Sequence, residues 1–336
     1  MIDHVSCVVK LKIHAIKSGY IVFYDHLGDI EKELRQKAFI ESPFTGNNCL
    51  VLPFGTQELY IRGNPSTWFQ DHNLFGVNSV DIIKDFILSV CETVKPTGLT
   101  PMEKIRIDLG IYRLTRLDIT EYLTVGTTQK DTSEFINYLQ SYCRSRAGRS
   151  ILTGDSVYFG KHSRRWTFKF YDKLKEMETK KEFNIPNKAV IDEYLKGKCR
   201  AELTLRSPEL KNITLENGCN WSNELIINTY SNYIGKLTMP TQIETTTSDY
   251  EDLPPRMIGI IESWKKGTSI KDILPKATFY RYRRDIINDT GIDISTPSPS
   301  INNCRTLVKK IDVTRAEEPP KSITENPKLY YLPKAV

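Results

Sequence analysis

An α+β fold is predicted by three features of the sequence. Short β-branched and aromatic runs, broken by Gly, Pro and Asn, read as strands and hairpins at 5–13, 20–24 and 48–62. Three later segments alternate polar and apolar residues at period two, as half-buried strands do. Between these strands lie stretches with apolar residues at helical spacing. Residues 79–94 put Val80, Ile83, Phe86, Ile87, Val90 and Val94 on one helical face, with Asn78 or Ser79 as the N-cap. A long strand is expected over about 105–124, then a helix over 132–146 opened by Thr132 or Ser133. Residues 155–172 read as a hairpin, and a Lys- and Glu-rich helix follows, interrupted near 184–187. A strand at 199–206 and a helix at about 221–236 complete the unit. The polar run 245–255 ends in Pro254-Pro255 and reads as a linker. The expected organisation is a large domain at 1–244, this linker, a small helical module at 256–295 and a C-terminal tail at 296–336.

Composition narrows the class. The chain has 336 residues, 39% hydrophobic and 26% charged, which describes a soluble globular protein. No run approaches the roughly 18 apolar residues of a spanning helix. The first residues lack a basic leader followed by an apolar core, so a cytoplasmic location is expected and secreted or membrane classes are excluded. Seven scattered cysteines contain no Cys-x-x-Cys pair and read as reduced packing thiols, not as disulfides or a zinc site. The five histidines include no closely spaced pair, so zincin and His-hydrophobic-His motifs are absent.

Charge is unevenly placed. Residues 256–310 carry eleven basic and five acidic side chains, which accounts for the whole net charge of +6. The same region reads as two or three short helices with a break at Lys266-Gly267-Thr268, and with Ser269 and Asp272 able to cap the second. Helix, glycine-bearing turn and a helix holding Thr278-Phe-Tyr-Arg-Tyr-Arg-Arg284 fit a helix-turn-helix DNA reader. Arg281, Arg283 and Arg284 are its candidates for phosphate or base edges.

The alternating strands supply the chemistry. Arg116, Asp118 and Thr120 share one face opposite Leu117 and Ile119. Arg200, Glu202, Thr204 and Arg206 oppose Ala201, Leu203 and Leu205, and Thr167, Lys169, Tyr171 and Lys173 oppose Phe168 and Phe170. Side by side, these faces would join carboxylates able to hold Mg²⁺ or Mn²⁺, cations able to hold phosphate, and a tyrosine able to attack phosphorus. The plainer alternative is a solvated sheet face with Arg116–Glu202 and Arg200–Asp118 as cross-strand ion pairs.

At these residues the sequence resembles the filamentous phage replication initiators, the gene II and gene X proteins, and more distantly the plasmid rolling-circle initiators. The matching pieces are Trp68-Phe-Gln-Asp-His-Asn-Leu-Phe-Gly76, Leu114-Thr-Arg-Leu-Asp-Ile-Thr120, Val157-Tyr-Phe-Gly-Lys-His-Ser163, Phe168-Lys-Phe-Tyr-Asp-Lys-Leu-Lys-Glu176 and Cys199-Arg-Ala-Glu-Leu-Thr-Leu-Arg206, in the family's order. The resemblance implies an antiparallel sheet with helices packed on it. It also implies an origin-specific nickase that cuts one strand of duplex origin DNA through a tyrosine, holds a 5′-phosphotyrosine intermediate and later rejoins the displaced single strand. Host helicase and polymerase are the implied partners.

By position, Tyr171 is the candidate nucleophile and Tyr158 the runner-up. Lys175 at Tyr-x-x-x-Lys spacing, or Lys173 if the strand continues, would balance phenolate or phosphate charge, together with Arg116 and Arg200. Asp118 and Glu202 are the expected Mg²⁺ or Mn²⁺ ligands, with His72 as a third ligand or a DNA contact. Lys161, His162 and Lys169 are expected DNA contacts. A non-catalytic origin-binding repressor of the same fold, or a metal-dependent nuclease without a covalent intermediate, are the alternatives.

Overall fold

A computed structural model describes residues 1–12, 20–35, 38–54, 57–145, 148–180, 186–238, 253–290, 292–295 and 314–333. The chain opens with β1 (Ile2–Lys10) and a separate ribbon of β2 (Tyr20–Tyr24) and β3 (Ile30–Arg35). β4 (Ala38–Glu41), β5 (Asn48–Phe54) and β6 (Glu58–Gly63) follow as an antiparallel meander. Then come α1 (Pro65–Gln70), α2 (Val80–Val94) and α3 (Pro101–Asp108). The long β7 (Tyr112–Thr124) leads to α4 (Gln129–Tyr142) and the short pair β8 (Arg144–Ser145) and β9 (Gly148–Arg149). β10 (Ile151–Thr153), β11 (Ser156–Phe159) and β12 (Trp166–Tyr171) form consecutive hairpins, followed by α5 (Lys173–Lys180) and α6 (Lys188–Leu195). β13 (Lys198–Arg206), α7 (Ser207–Asn212), α8 (Asn223–Ile234) and β14 (Leu237–Thr238) end this stretch.

The result is an α+β fold. Nine strands form a continuous antiparallel sheet in the order β10-β11-β12-β13-β7-β1-β6-β5-β4. Its apolar side is the alternation read from the sequence. Leu117, Ile119, Ala201, Leu203, Leu205, Phe168 and Phe170 are all fully buried there. They pack in one core with Ile83, Phe86, Ile87 and Val90 of α2, Phe135 and Leu139 of α4, and Tyr230 of α8. Each Val, Leu, Ile or Phe among them contributes about 1.5–3 kcal/mol when fully buried. Gly197 turns the chain from α6 into β13 at φ +64°, and a Cβ there would meet the Gly126 carbonyl oxygen at 2.1 Å.

Most elements fall where the residues predict, with instructive exceptions. The helix at 79–94 is α2, capped by Ser79, whose hydroxyl accepts from the Asp81 N–H. The expected strand over 105–124 is shorter, because Thr100-Pro101-Met102-Glu103 forms a capping box and starts α3. The helix expected from Thr132 or Ser133 begins one turn earlier, at a Thr128–Asp131 capping box. The interruption near 184–187 and the linker at 245–255 fall largely outside the described residues. Five of the six described cysteines are buried, all six as free thiols.

The tail expected at 296–336 is not free where it is described. β15 (Thr314–Arg315) pairs with the end of β7, and Arg315 binds Glu121 at 2.9 Å. Ile323 of α12 (Lys321–Thr324) and Leu329 are buried with Leu74, Phe75, Leu174, Met177, Ile191 and Leu195. Tyr331 stacks on Phe69 at 4.0 Å and donates to Asp85. The segment is held because its apolar and aromatic side chains close a gap beside the sheet, a long-range match that no local period reveals.

Residues 253–295 enclose a small core of their own. It comprises α9 (Pro255–Lys265), α10 (Ile270–Ile273) and α11 (Lys276–Thr290), with Met257, Ile261, Trp264, Ile270, Phe279, Ile286 and Ile294 buried. Ser269 precedes α10, but its side chain makes no cap hydrogen bond, contrary to the capping expected with Asp272. Arg283 is taken up by Asp293 at 2.8 Å, so it pins the following segment instead of standing free for DNA. Arg281 and Arg284 are on the outside, the latter beside Asp285.

Candidate active site

The polar sides of β12, β13, β7 and β1 meet on one face. Tyr171 stands opposite Arg200, and Arg200 opposite Tyr122. One step along, Lys169 faces Glu202, which faces Thr120. The next step holds Thr167, Thr204, Asp118 and His4. Strand register therefore assembles residues more than a hundred positions apart.

The face is not the solvated surface of the plainer reading. Asp118 is 1% exposed and Arg200 fully buried. The expected cross-strand pairs do not form. Arg116 instead grips both oxygens of Asp118 on its own strand, Nε to Oδ1 at 2.8 Å and Nη2 to Oδ2 at 2.5 Å. Arg200 turns to Asp3, with Nη2 3.2 Å from Oδ2, and donates to the Asn73 carbonyl and the Tyr122 hydroxyl. Asn64 and Asn73 donate to the other oxygen of Asp3. Arg200 is thus a buried positioning charge, out of reach of solvent.

Asp3 and His4 are the residues that reading by period misses, since alternation sends neighbours to opposite faces. A register shift between Ile2 and His4 bulges β1 and delivers both to the polar side. Burial, reinforced by Asp3 and Asp118, raises the Glu202 carboxyl to about 7. Burial also raises Asp118 against the pull of Arg116. His4 is lowered to about 4 by burial and by Arg116 and Arg62, so its imidazole is neutral at pH 7.

Tyr171 ends β12 and is 5% exposed. Burial holds its phenol well above the ordinary range, with Arg200 pulling the other way. Lys169 Nζ lies 3.8 Å from the ring centroid. The ring lines a cleft of about 210 Å³ shared with Lys169, Asp172, Lys175 and Glu176. The strand does not continue: α5 starts at Lys173, two residues past Tyr171, and places Lys175 in its first turn. Lys175 reaches the cleft paired with Asp155 at 2.8 Å, while Lys173 is buried against Asn73 and Glu176. Tyr158, opposite Lys169, is half-buried.

His72 is not gathered into this group. Its Nδ1 accepts from the Leu74 N–H, and its ring meets Phe75 edge-on in a cleft bordered by Lys328 and Leu329. That placement removes it as a third ligand beside Asp118 and Glu202. It holds the 70–76 turn whose Asn73 supports Asp3, Lys173 and Arg200.

A family model for the N-terminal part of the phage replication-associated protein, the gene II product, matches residues 1–224. The chain belongs to this family of filamentous phage replication initiators. The replication-associated protein of Enterobacteria phage I2-2, of the same gene II type, is 30% identical over 333 residues, covering 95% of both chains. The initiator family's model takes in the whole polar face, from Asp3 to Arg206, and stops before the module at 253–295. No helix among the described residues is long and apolar enough to cross a membrane.

The donor set bears on metal ligation. Among the described residues no three His, Cys, Asp or Glu side chains stand ready around one point. Glu202 nevertheless faces Lys169 without an ion pair among the described residues, and its carboxyl is raised first by burial and then by Asp3 and Asp118, a cost that a divalent cation would relieve. Asp118 fits as its companion if Arg116 releases one oxygen, and neutral His4, directly opposite Asp118, adds a nitrogen.

Proposed function

We propose that this replication initiator is a tyrosine-using, metal-dependent DNA nicking and joining enzyme that starts rolling-circle replication. The observation that carries the reading is the single polar face joining Tyr171, Lys169, Glu202 and Asp118. Mg²⁺ or Mn²⁺ held by Asp118 and Glu202 would supply Lewis-acid polarisation of the scissile phosphate. Tyr171 turns its phenol into the adjoining cleft and attacks phosphorus as its proton passes to water, while the bond from phosphorus to the 3′ oxygen breaks and that oxygen takes up a proton. Lys169 and Lys175 offset the phenolate charge, and Arg116 offsets charge developing on phosphate. The phosphotyrosine bond conserves the linkage energy, so resealing needs no ATP. Lys161, His162, Arg281 and Arg284 contact DNA, with α9–α11 as the origin-reading module. The enzyme works in the bacterial cytoplasm with host helicase and polymerase.

The test is a denaturation-resistant adduct on supercoiled cognate origin DNA with Mg²⁺. The parent is expected to nick and to carry the 5′ end, and Tyr171→Phe to do neither. Persistence of the adduct in that variant would move the nucleophile to Tyr158, the less buried phenol one strand further out. Nicking without any adduct would favour a water-activating nuclease, and binding without nicking a repressor.

A further inference from the structure

Register gives the active face a direction. Passing along the strands, the rows run from Tyr171–Arg200, through Lys169–Glu202–Thr120 and Thr204–Asp118–His4, to Arg206–Arg116–Ser6–Arg62. Each row is two residues, or roughly 6.7 Å, from the next. The carboxylates therefore lie between the nucleophile at one end and a band of cations at the other.

At the cationic end the face opens into a groove of about 810 Å³. Arg62, Arg113, Arg116, Lys161, Arg164 and Arg206 line it, and no carboxylate does. Arg62, Arg113 and Arg164 are exposed and make no ion pair among the described residues. Such a one-signed concavity attracts a polyanion and gains affinity from released counterions.

We propose that this groove holds the DNA segment on the 5′ side of the cut, the strand that ends in the new 3′-hydroxyl. The proposal rests on Tyr171 as nucleophile. As the phenolate oxygen bonds to phosphorus, the bond from phosphorus to the 3′ oxygen breaks. The departing oxygen keeps the electron pair and takes a proton from water. Attacking and leaving oxygens lie in line on opposite sides of phosphorus. With Tyr171 at one end of the row, the 3′ oxygen and its chain point to the other, where the arginines are. The strand is unpaired there, because the acids and the phenol are recessed and stacked duplex cannot bring its backbone down to them.

The experiment combines Arg62→Ala, Arg113→Ala and Arg164→Ala, three exposed positions, with the melting temperature measured alongside to show that the fold is kept. Oligonucleotides spanning the mapped nick carry neutral methylphosphonates on either the 5′ or the 3′ side, and binding is measured in the Tyr171→Phe background. Neutralising the 5′ side is expected to weaken binding at least several-fold in the parent and clearly less in the triple variant, where Arg116, Lys161 and Arg206 still line the groove. Neutralising the 3′ side should act equally on both. On a plain oligo-dT, the salt slope of the triple variant should fall by about 2, at about 0.7 per lost phosphate contact on single strands. An unchanged slope, or equal sensitivity to 5′ neutralisation with and without the arginines, overturns the proposal. A parent that forms no tyrosine adduct sinks the nicking reading and the strand polarity with it, and the oligo-dT slope alone then decides whether the groove binds a strand.

Discussion

Replacing Arg200 by Met should unfold more than it inactivates. The guanidinium is fully buried, 3.2 Å from the Asp3 carboxylate, and donates to the Asn73 carbonyl and the Tyr122 hydroxyl. Methionine fills a similar length but leaves Asp3 as a buried charge without its cation, a loss of about 3–5 kcal/mol when a buried pair is broken from one side. Asn64 and Asn73 still donate to Asp3, which favours the lower end, about 3 kcal/mol. Asp3→Asn in the same chain removes the stranded charge, so the double variant should recover about 1–3 kcal/mol of the summed single losses. Urea unfolding followed by tryptophan fluorescence measures all four members of the cycle. A loss below about 1 kcal/mol for Arg200→Met, with nicking abolished, would refute the positioning role and make Arg200 a phosphate contact.

Two other positions give sharp expectations. Glu103, buried at the start of α3, is held by Lys95 at 2.7 Å and by Thr100, which outweigh burial and lower its carboxyl to about 2. The stabilisation is full above the ordinary pKa of about 4.3 and is lost as pH falls towards 2, so Glu103→Gln should cost about 2–3 kcal/mol at pH 7 and much less at pH 3, read by urea midpoints. Lys173 is lowered to about 8 by burial and by Arg200. Between about 8 and 10.5 the unfolded chain binds the extra proton, so the parent should gain stability relative to Lys173→Met as pH rises through that window, and a flat difference would contradict the buried ammonium.

How much was legible follows from where the information sits. Leu117, Ile119, Leu203, Leu205, Phe168 and Phe170 alternate with polar partners, and period two alone assigns them to the core. Thr100-Pro101-Met102-Glu103 is equally a local signal for a helix start, though the neighbouring β-rich run masks it. Asp3 was not legible, because a bulge overrides alternation and only the pairing of β1 with β7 shows it. Arg62, Arg113 and Arg164 lie on three distant segments and carry no common motif, so their shared groove is invisible before the sheet closes.

Local patterning determined most of the strands and helices, the apolar side of the sheet and the concentration of acids, cations and tyrosine on its other side. Those are properties of neighbours along the chain. Tertiary structure decided which acid each arginine serves, that His72 stands apart, that 314–333 returns to the sheet, and which end of the face is cationic. Each of these depends on strand order and register, set by packing among residues far apart in sequence, where local periodicity carries no record of the partner.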